Sequence, residues 1–134
     1  MRKLFIICAL LFCLGTASAQ QKFSVASPDG KLKLVLDIAP EKVAYSVKYG
    51  KQQLLEVSRL GFEVDSGEFG AGLKAGKVQR RKIDEAYELV VGKVRRARNY
   101  CNEMTVPLVE RNGKERTVNL VVRAFDDGIA FRYE

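Results

Sequence analysis

Thr117-Val118-Asn119-Leu120-Val121-Val122-Arg123-Ala124-Phe125-Asp126-Asp127-Gly128-Ile129-Ala130-Phe131-Arg132-Tyr133-Glu134 is the stretch whose reading decides the fold. Val118, Leu120, Val122 and Ala124 share one side of an extended chain, while Thr117, Asn119 and Arg123 help make the other. That period of two predicts a half-buried strand. Asp126-Asp127-Gly128 follows as a turn, with Gly tolerant of positive φ and Asp able to bond the local backbone. Ile129, Phe131 and Tyr133 then restart the alternation, which makes the unit a β-hairpin. The sequence stops at Glu134, inside the second strand. A sheet interrupted there leads us to expect a domain represented in part.

Working outward, the same alternation recurs. Phe23 and Val25 precede Ser27-Pro28-Asp29-Gly30, where Pro28 presets its own φ and Gly30 accepts the left-handed conformation. Leu32, Leu34, Leu36 and Ile38 give a strand with one apolar face, broken at Ala39-Pro40-Glu41-Lys42. Val43, Tyr45, Val47 and Tyr49 give a third strand, turned by Gly50-Lys51. Leu54, Leu55 and Val57 give a less regular fourth, and Leu60, Phe62 and Val64 a short fifth. Ser66 to Gly72 holds three glycines and reads as a plain connection. It lacks the Lys-Ser/Thr pair and the helix that a phosphate loop requires. Lys77 to Val91 alternates roughly, as one or two strands with a bend, and Gly92 to Asn102 reads as a second polar connection. Met104, Val106 and Leu108 resume the alternation. Pro107 cannot donate to a ladder, so that strand is expected at a sheet edge or bulged. Arg111-Asn112-Gly113-Lys114 is an Asn-Gly hairpin turn leading back to Thr117. Eight to ten short strands with turns between them predict an all-β sandwich or barrel.

Not all 134 residues belong to that domain. Arg2 and Lys3 precede the apolar run Leu4–Leu14, and Ala17-Ser18-Ala19 supplies small residues for cleavage before Gln20. Residues 1–19 therefore read as a signal peptide, too short in its apolar part to span a bilayer. Neither Cys8 nor Cys13 follows the small residue of a lipoprotein signal. Removing the leader leaves 21 basic against 16 acidic side chains, a net +5, and one cysteine. Cys101 alone forms no internal disulfide and reads as a small buried hydrophobe. The basic residues are dispersed along strands, and an exported chain seldom meets nucleic acid, so they read as solvated faces. We expect an exported protein, periplasmic or secreted, with no nucleic-acid partner and no membrane association after signal cleavage.

The sequence contains no histidine, which removes Ser-His and Cys-His catalysis and His-based zinc sites. Carboxylates remain, and a glycosidase needs two of them ~5–10 Å apart. Glu63, Glu68, Glu85, Glu88, Glu103, Glu110, Asp126 and Asp127 are candidates, but no spacing among them selects a pair. No catalytic residue is assigned. Asp126 and Asp127 could offer oxygen to calcium, yet a turn accounts for both, so no metal ligand is assigned either. Arg95 to Glu103 combines guanidinium and amide groups with a Tyr ring, a composition suited to hydroxyls and to a sugar face. Arg98, Asn99, Tyr100, Asn102 and Glu103 are the candidate ligand or interdomain contacts. A solvated loop would present the same residues.

Taken in order, these segments resemble a known family. They are Phe23-Ser24-Val25-Ala26-Ser27-Pro28-Asp29-Gly30-Lys31-Leu32-Lys33-Leu34, Val43-Ala44-Tyr45-Ser46-Val47, Ser58-Arg59-Leu60-Gly61, Arg98 to Glu103, and Arg123 to Tyr133. The whole is similar to the N-terminal domain of glycoside hydrolase family 97, exported α-glucosidases and α-galactosidases. Asp126 to Tyr133 is the most specific part. The resemblance implies a β-supersandwich like the galactose-mutarotase fold, here incomplete over residues 20–134, ahead of a catalytic (β/α)₈ barrel. It implies calcium in the full-length enzymes, with none bound by this chain alone. It also implies a non-catalytic, carbohydrate-binding or structural role, with the barrel as partner and carbohydrate met through the whole enzyme. The chain departs from the pattern at Tyr87, Val90, Asn99 and Cys101. A free-standing exported sandwich that binds a glycan or a partner protein is the alternative.

Overall fold

Local alternation makes strands, but the order in which they pair is a tertiary property. A computed structural model describes residues 20–65, 67–90, 95–111 and 116–134. The leader and the Asn112-Gly113 turn lie outside the described residues. The described chain is all-β, with eleven strands and no helix. β1 (Gln21–Ala26), β2 (Leu32–Ala39), β3 (Lys42–Tyr49) and β4 (Gln52–Leu60) form an antiparallel meander, a four-stranded sheet. β5 (Phe62–Val64) and β6 (Gly67–Phe69) pair with each other. β7 (Leu73–Ala75), β8 (Gln79–Glu88), β9 (Arg96–Glu110), β10 (Thr117–Ala124) and β11 (Ile129–Tyr133) make the second sheet.

The turns are the ones the sequence predicts, with two differences. The Gly30 amide donates to the Ser27 carbonyl at 2.9 Å, and Gly30 has φ of 76°. Gly50 also takes positive φ, 55°. Gly128 does not join the positive-φ glycines, although it closes its turn by accepting from the Phe125 amide at 2.8 Å. Nor does Asp126 bond its own backbone. Its Oδ1 accepts from the amide of Asp29 at 2.9 Å, so turns from the two sheets are tied together.

The sheets pack face to face because each has one apolar side. Leu32, Leu34, Leu36 and Ile38 of β2 meet Met104, Val106, Leu108, Leu120, Val122 and Ala124 in one buried cluster. Tyr45 of β3 stands edge-on to Phe131 of β11, with ring centroids 5.4 Å apart.

Three expectations need correction. The glycine-rich segment is a seam rather than a plain connection. Gly70 O accepts from Val43 N (3.2 Å), Gly72 N donates to Pro40 O (2.7 Å), and Gly72 O accepts from Arg111 N (2.9 Å). A Cβ on Gly61 would lie 3.0 Å from the Phe69 carbonyl oxygen, so the backbones approach too closely for a side chain. Second, Arg96 to Asn102 is strand, the first half of a 15-residue β9, and not a polar loop. Third, Pro107 stands not at a sheet edge but in the interior of its sheet, opposite Asn119; the expected irregularity is there, in the segment alongside, where Val106 and Pro107 face the three residues 76–78. Pro107 survives there because β7 and β8 run end to end along one side of β9, pairing with Leu108–Glu110 and Arg96–Thr105. The Pro107 carbonyl accepts from Gly76 N in the gap between them (2.7 Å), and the missing N–H faces the same gap. Asn119 meanwhile directs its own N–H and C=O to Glu134 of the chain beyond β11. No ladder bond is lost.

Candidate functional site

β9 is longer than the sheet that covers it, so its first half and β8 form an arm at the side of the sandwich. Ten antiparallel pairs, from Gln79↔Thr105 to Glu88↔Arg96, hold the arm. Alternation along β9 divides the five candidate residues between its two faces. Arg98, Tyr100 and Asn102 point to the side of Met104 and the core. Asn99 and Glu103 point to the other side, with the wholly buried Cys101.

On the first face, the Arg98 guanidinium grips Asp84 through Nε and Nη2, both at 2.8 Å. That hydrogen bond holds the Asp84 carboxyl below its ordinary value and raises Arg98. The same guanidinium lies 4.4 Å from the Tyr100 ring centroid, and Lys82 Nζ lies 4.8 Å from it. The ring thus already carries two cations. Asn102 Nδ2 donates to the Ala26 carbonyl at 2.9 Å and joins the arm to the first sheet. An open groove of about 620 Å³ runs past Ser24, Lys33, Lys82 and Asn102.

The second face centres on Glu103, 5% exposed. Arg81 Nε donates to Oε1 at 2.6 Å and Arg123 Nε to Oε2 at 2.7 Å. The register makes this row, since Glu103 stands opposite Arg81 on β8 and Arg123 on β10. Burial works to raise the Glu103 carboxyl, but the two guanidinium groups more than offset it and leave its pKa lowered. Beside it a concavity of about 350 Å³ is lined by Gln79, Thr105, Asn119 and Arg132. Glu110, the other buried carboxylate, is gripped by Arg116 at 2.7 Å through two nitrogens. Burial pushes the Cys101 thiol up, so it is held neutral.

The chemistry on offer is hydrogen bonding by fixed cations and amides. Arg81, Lys82, Asp84 and Arg123 complete the site and were missed in the sequence. Alternation could have placed each on a strand, but nothing local gives the register that brings them to β9. Among the described residues no three His, Cys, Asp or Glu side chains converge as a metal site. Calcium takes six to eight oxygen ligands, and with Asp126 engaged by Asp29 the described residues do not fit that ion.

Residues 25–134 match the family profile described as glycosyl-hydrolase 97 N-terminal. The chain is 28% identical over 134 residues to a retaining alpha-galactosidase of Bacteroides thetaiotaomicron, covering 99% of this chain and 19% of that protein. It is 31% identical over 133 residues to a probable retaining alpha-galactosidase of Streptomyces bingchenggensis, covering 96% and 21%. It superposes on a glycoside hydrolase family 97 enzyme from Pseudoalteromonas sp. strain K8, solved with panose, at a TM-score of 0.77. Identity there is 28%, over 84% of this chain and 17% of that one. A beta-arabinopyranosidase crystal structure gives a TM-score of 0.76 and 33% identity, over 84% and 18%. The chain spans 19% to 21% of the length of these curated relatives.

Proposed function

The chain belongs to the glycosyl-hydrolase 97 N-terminal family, and from that premise we propose that it serves as the non-catalytic domain of an exported α-glycosidase. The enzyme's hydrolysis of terminal α-linked sugars then resides in polypeptide that this chain does not include. One observation carries the reading. A glycosidase acid needs a raised carboxyl pKa, and its partner carboxylate must face it across the sugar. Here both buried carboxylates, Glu103 and Glu110, are neutralised by arginines, and Glu103 is pushed the opposite way. Such groups fix structure.

The domain's contribution is to pack on the catalytic part, a barrel by family resemblance, and help shape its sugar site. The β8–β9 arm supports this role, since it lines an open groove with Lys82 and Asn102 and holds Arg98 in a fixed position against Asp84 and Tyr100. Calcium, which the family resemblance implies for the full-length enzymes, is not expected to bind this chain alone. Export rests on the Met1–Ala19 leader, and N-terminal sequencing of secreted protein should read Gln20 first.

The decisive assay offers nitrophenyl α-glucoside and α-galactoside to the chain, with and without calcium. No turnover is expected. Turnover abolished by substituting a single carboxylate would place the chemistry here and end the proposal.

A further inference from the structure

β1 is an edge strand of the first sheet, and alternation fixes where its free backbone groups point. Ser27 N donates to Leu32 O at 2.8 Å, so Val25 and Leu34 form the next hydrogen-bonded pair along the ladder. Ser24 and Ala26 therefore turn their N–H and C=O away from β2, off the edge of the sheet. Both carbonyls are taken by side chains of the second sheet. Arg80 Nη1 donates to Ser24 O at 2.6 Å, and Asn102 Nδ2 donates to Ala26 O at 2.9 Å. A strand added beside β1 would need those carbonyls, so the edge is closed to strands. The two N–H groups remain, along the groove that Ser24, Ala26, Lys33, Arg80, Lys82 and Asn102 line.

The charge of this groove is unbalanced. Lys33 stands directly opposite Ala26 on β2, while Arg80 and Lys82 are alternate residues of β8. These three cations take part in none of the ion pairs among the described residues. The neighbouring carboxylates are engaged elsewhere. Arg98 grips Asp84, and Arg81 and Arg123 grip Glu103. Asp29 accepts from Ser27 Oγ at 2.5 Å and from Lys31 N at 3.0 Å. Arg80 uses Nη1 on Ser24 and keeps its Nε–Nη2 edge, the edge with which Arg98 holds both oxygens of Asp84. Such an edge fits two oxygens of one anion.

We propose that this groove binds the oxyanion of an acidic saccharide, a uronate carboxylate or a sulfate ester, on Arg80, Lys82, Lys33 and the N–H groups of Ser24 and Ala26. The choice of a saccharide rests on the function proposed above, in which the domain belongs to a carbohydrate-acting enzyme. Uncompensated cations select an anion. The occupied carbonyls of β1 exclude an extended peptide paired as a strand. Between the cations, the Ser24 hydroxyl and the Asn102 amide oxygen suit the hydroxyls of a sugar ring.

The test is an NMR titration of the isotope-labelled chain with digalacturonate, galactose 6-sulfate, neutral galactobiose, inorganic sulfate and a short poly-glutamate peptide. One or both acidic saccharides should shift the Arg80 Nε–H and the amides of Ser24 and Ala26 in a saturable way, and which of them does so identifies the anion. Added sodium chloride should weaken that binding. Arg80→Gln should weaken it about tenfold. Lys33→Gln, which removes a side chain with no ion pair in the fold, should weaken it about threefold and covers the case in which Arg80→Gln unfolds. The proposal is overturned if neither acidic saccharide shifts these groups, or if the shifts fall on other residues. It is equally overturned if galactobiose, inorganic sulfate or the peptide binds as tightly as the acidic saccharides. Hydrolysis of nitrophenyl glycosides by the chain would instead sink the domain reading and leave the titration untouched.

Discussion

Glu103 shows how one residue's role depends on neighbours that the sequence keeps distant. Its folded pKa lies below the ordinary value of 4.5, so ionisation favours the fold. That contribution is intact above pH 4.5 and is lost as pH falls through the depressed folded value. Glu103→Gln should remove this part of the acid-side loss. It should also cost about 1–2 kcal/mol at neutral pH, because two guanidinium groups lose a charged acceptor. Paired denaturant titrations at neutral and acid pH measure both effects. Cys101 gives a second test. Wholly buried with its thiol raised, it should resist iodoacetamide in the native chain and react after denaturation, as read by mass spectrometry. Its burial was legible from sequence, since a single cysteine among strand residues reads as a small hydrophobe. The double arginine pairing of Glu103 was not, because Arg81 and Arg123 are 22 and 20 residues away along the chain.

Among the elements, strands with one wet face and one apolar face announced themselves; β2 matches its expected alternation, and β10 does so except at Val121, which is buried on the outer face. The arm did not. Arg95 to Asn102 lacks apolar alternation because most side chains of the arm meet water or each other's charges, and only Cys101, opposite Ile83 on β8, is buried there. Pairing with β8 makes it a strand, and that pairing is invisible locally. Consequently the candidate residues, neighbours in sequence, sit on opposite faces. The join between β7 and β8 makes a sharper prediction. Gly76 lies against Pro107, where an added Cβ would come within 3.1 Å of Pro107 Cβ. Gly76→Val should cost about 1–3 kcal/mol by overpacking. Pro107→Ala gives up no ladder bond, so it should fall within about 1 kcal/mol of the parent. Thermal denaturation of the two variants checks this asymmetry.

For the molecule as a whole, stability comes from one apolar layer between two sheets, without a disulfide among the described residues. Leu36→Ala, at 0% exposure in the centre of that layer, should cost about 2–5 kcal/mol. Circular dichroism should show one cooperative transition at a lower midpoint. The sequence by itself determined most of the strands and turns, the core-facing residues and the family resemblance. Those depend on side-chain alternation and turn chemistry, which act over a few residues. Only the tertiary structure decided that the glycine-rich segment is a seam, that Pro107 can sit inside a sheet, and that Arg81 and Arg123 converge on Glu103. Each of these depends on backbone groups or charges meeting across long sequence separations, and period-two patterning specifies a face without specifying the strand that will lie beside it.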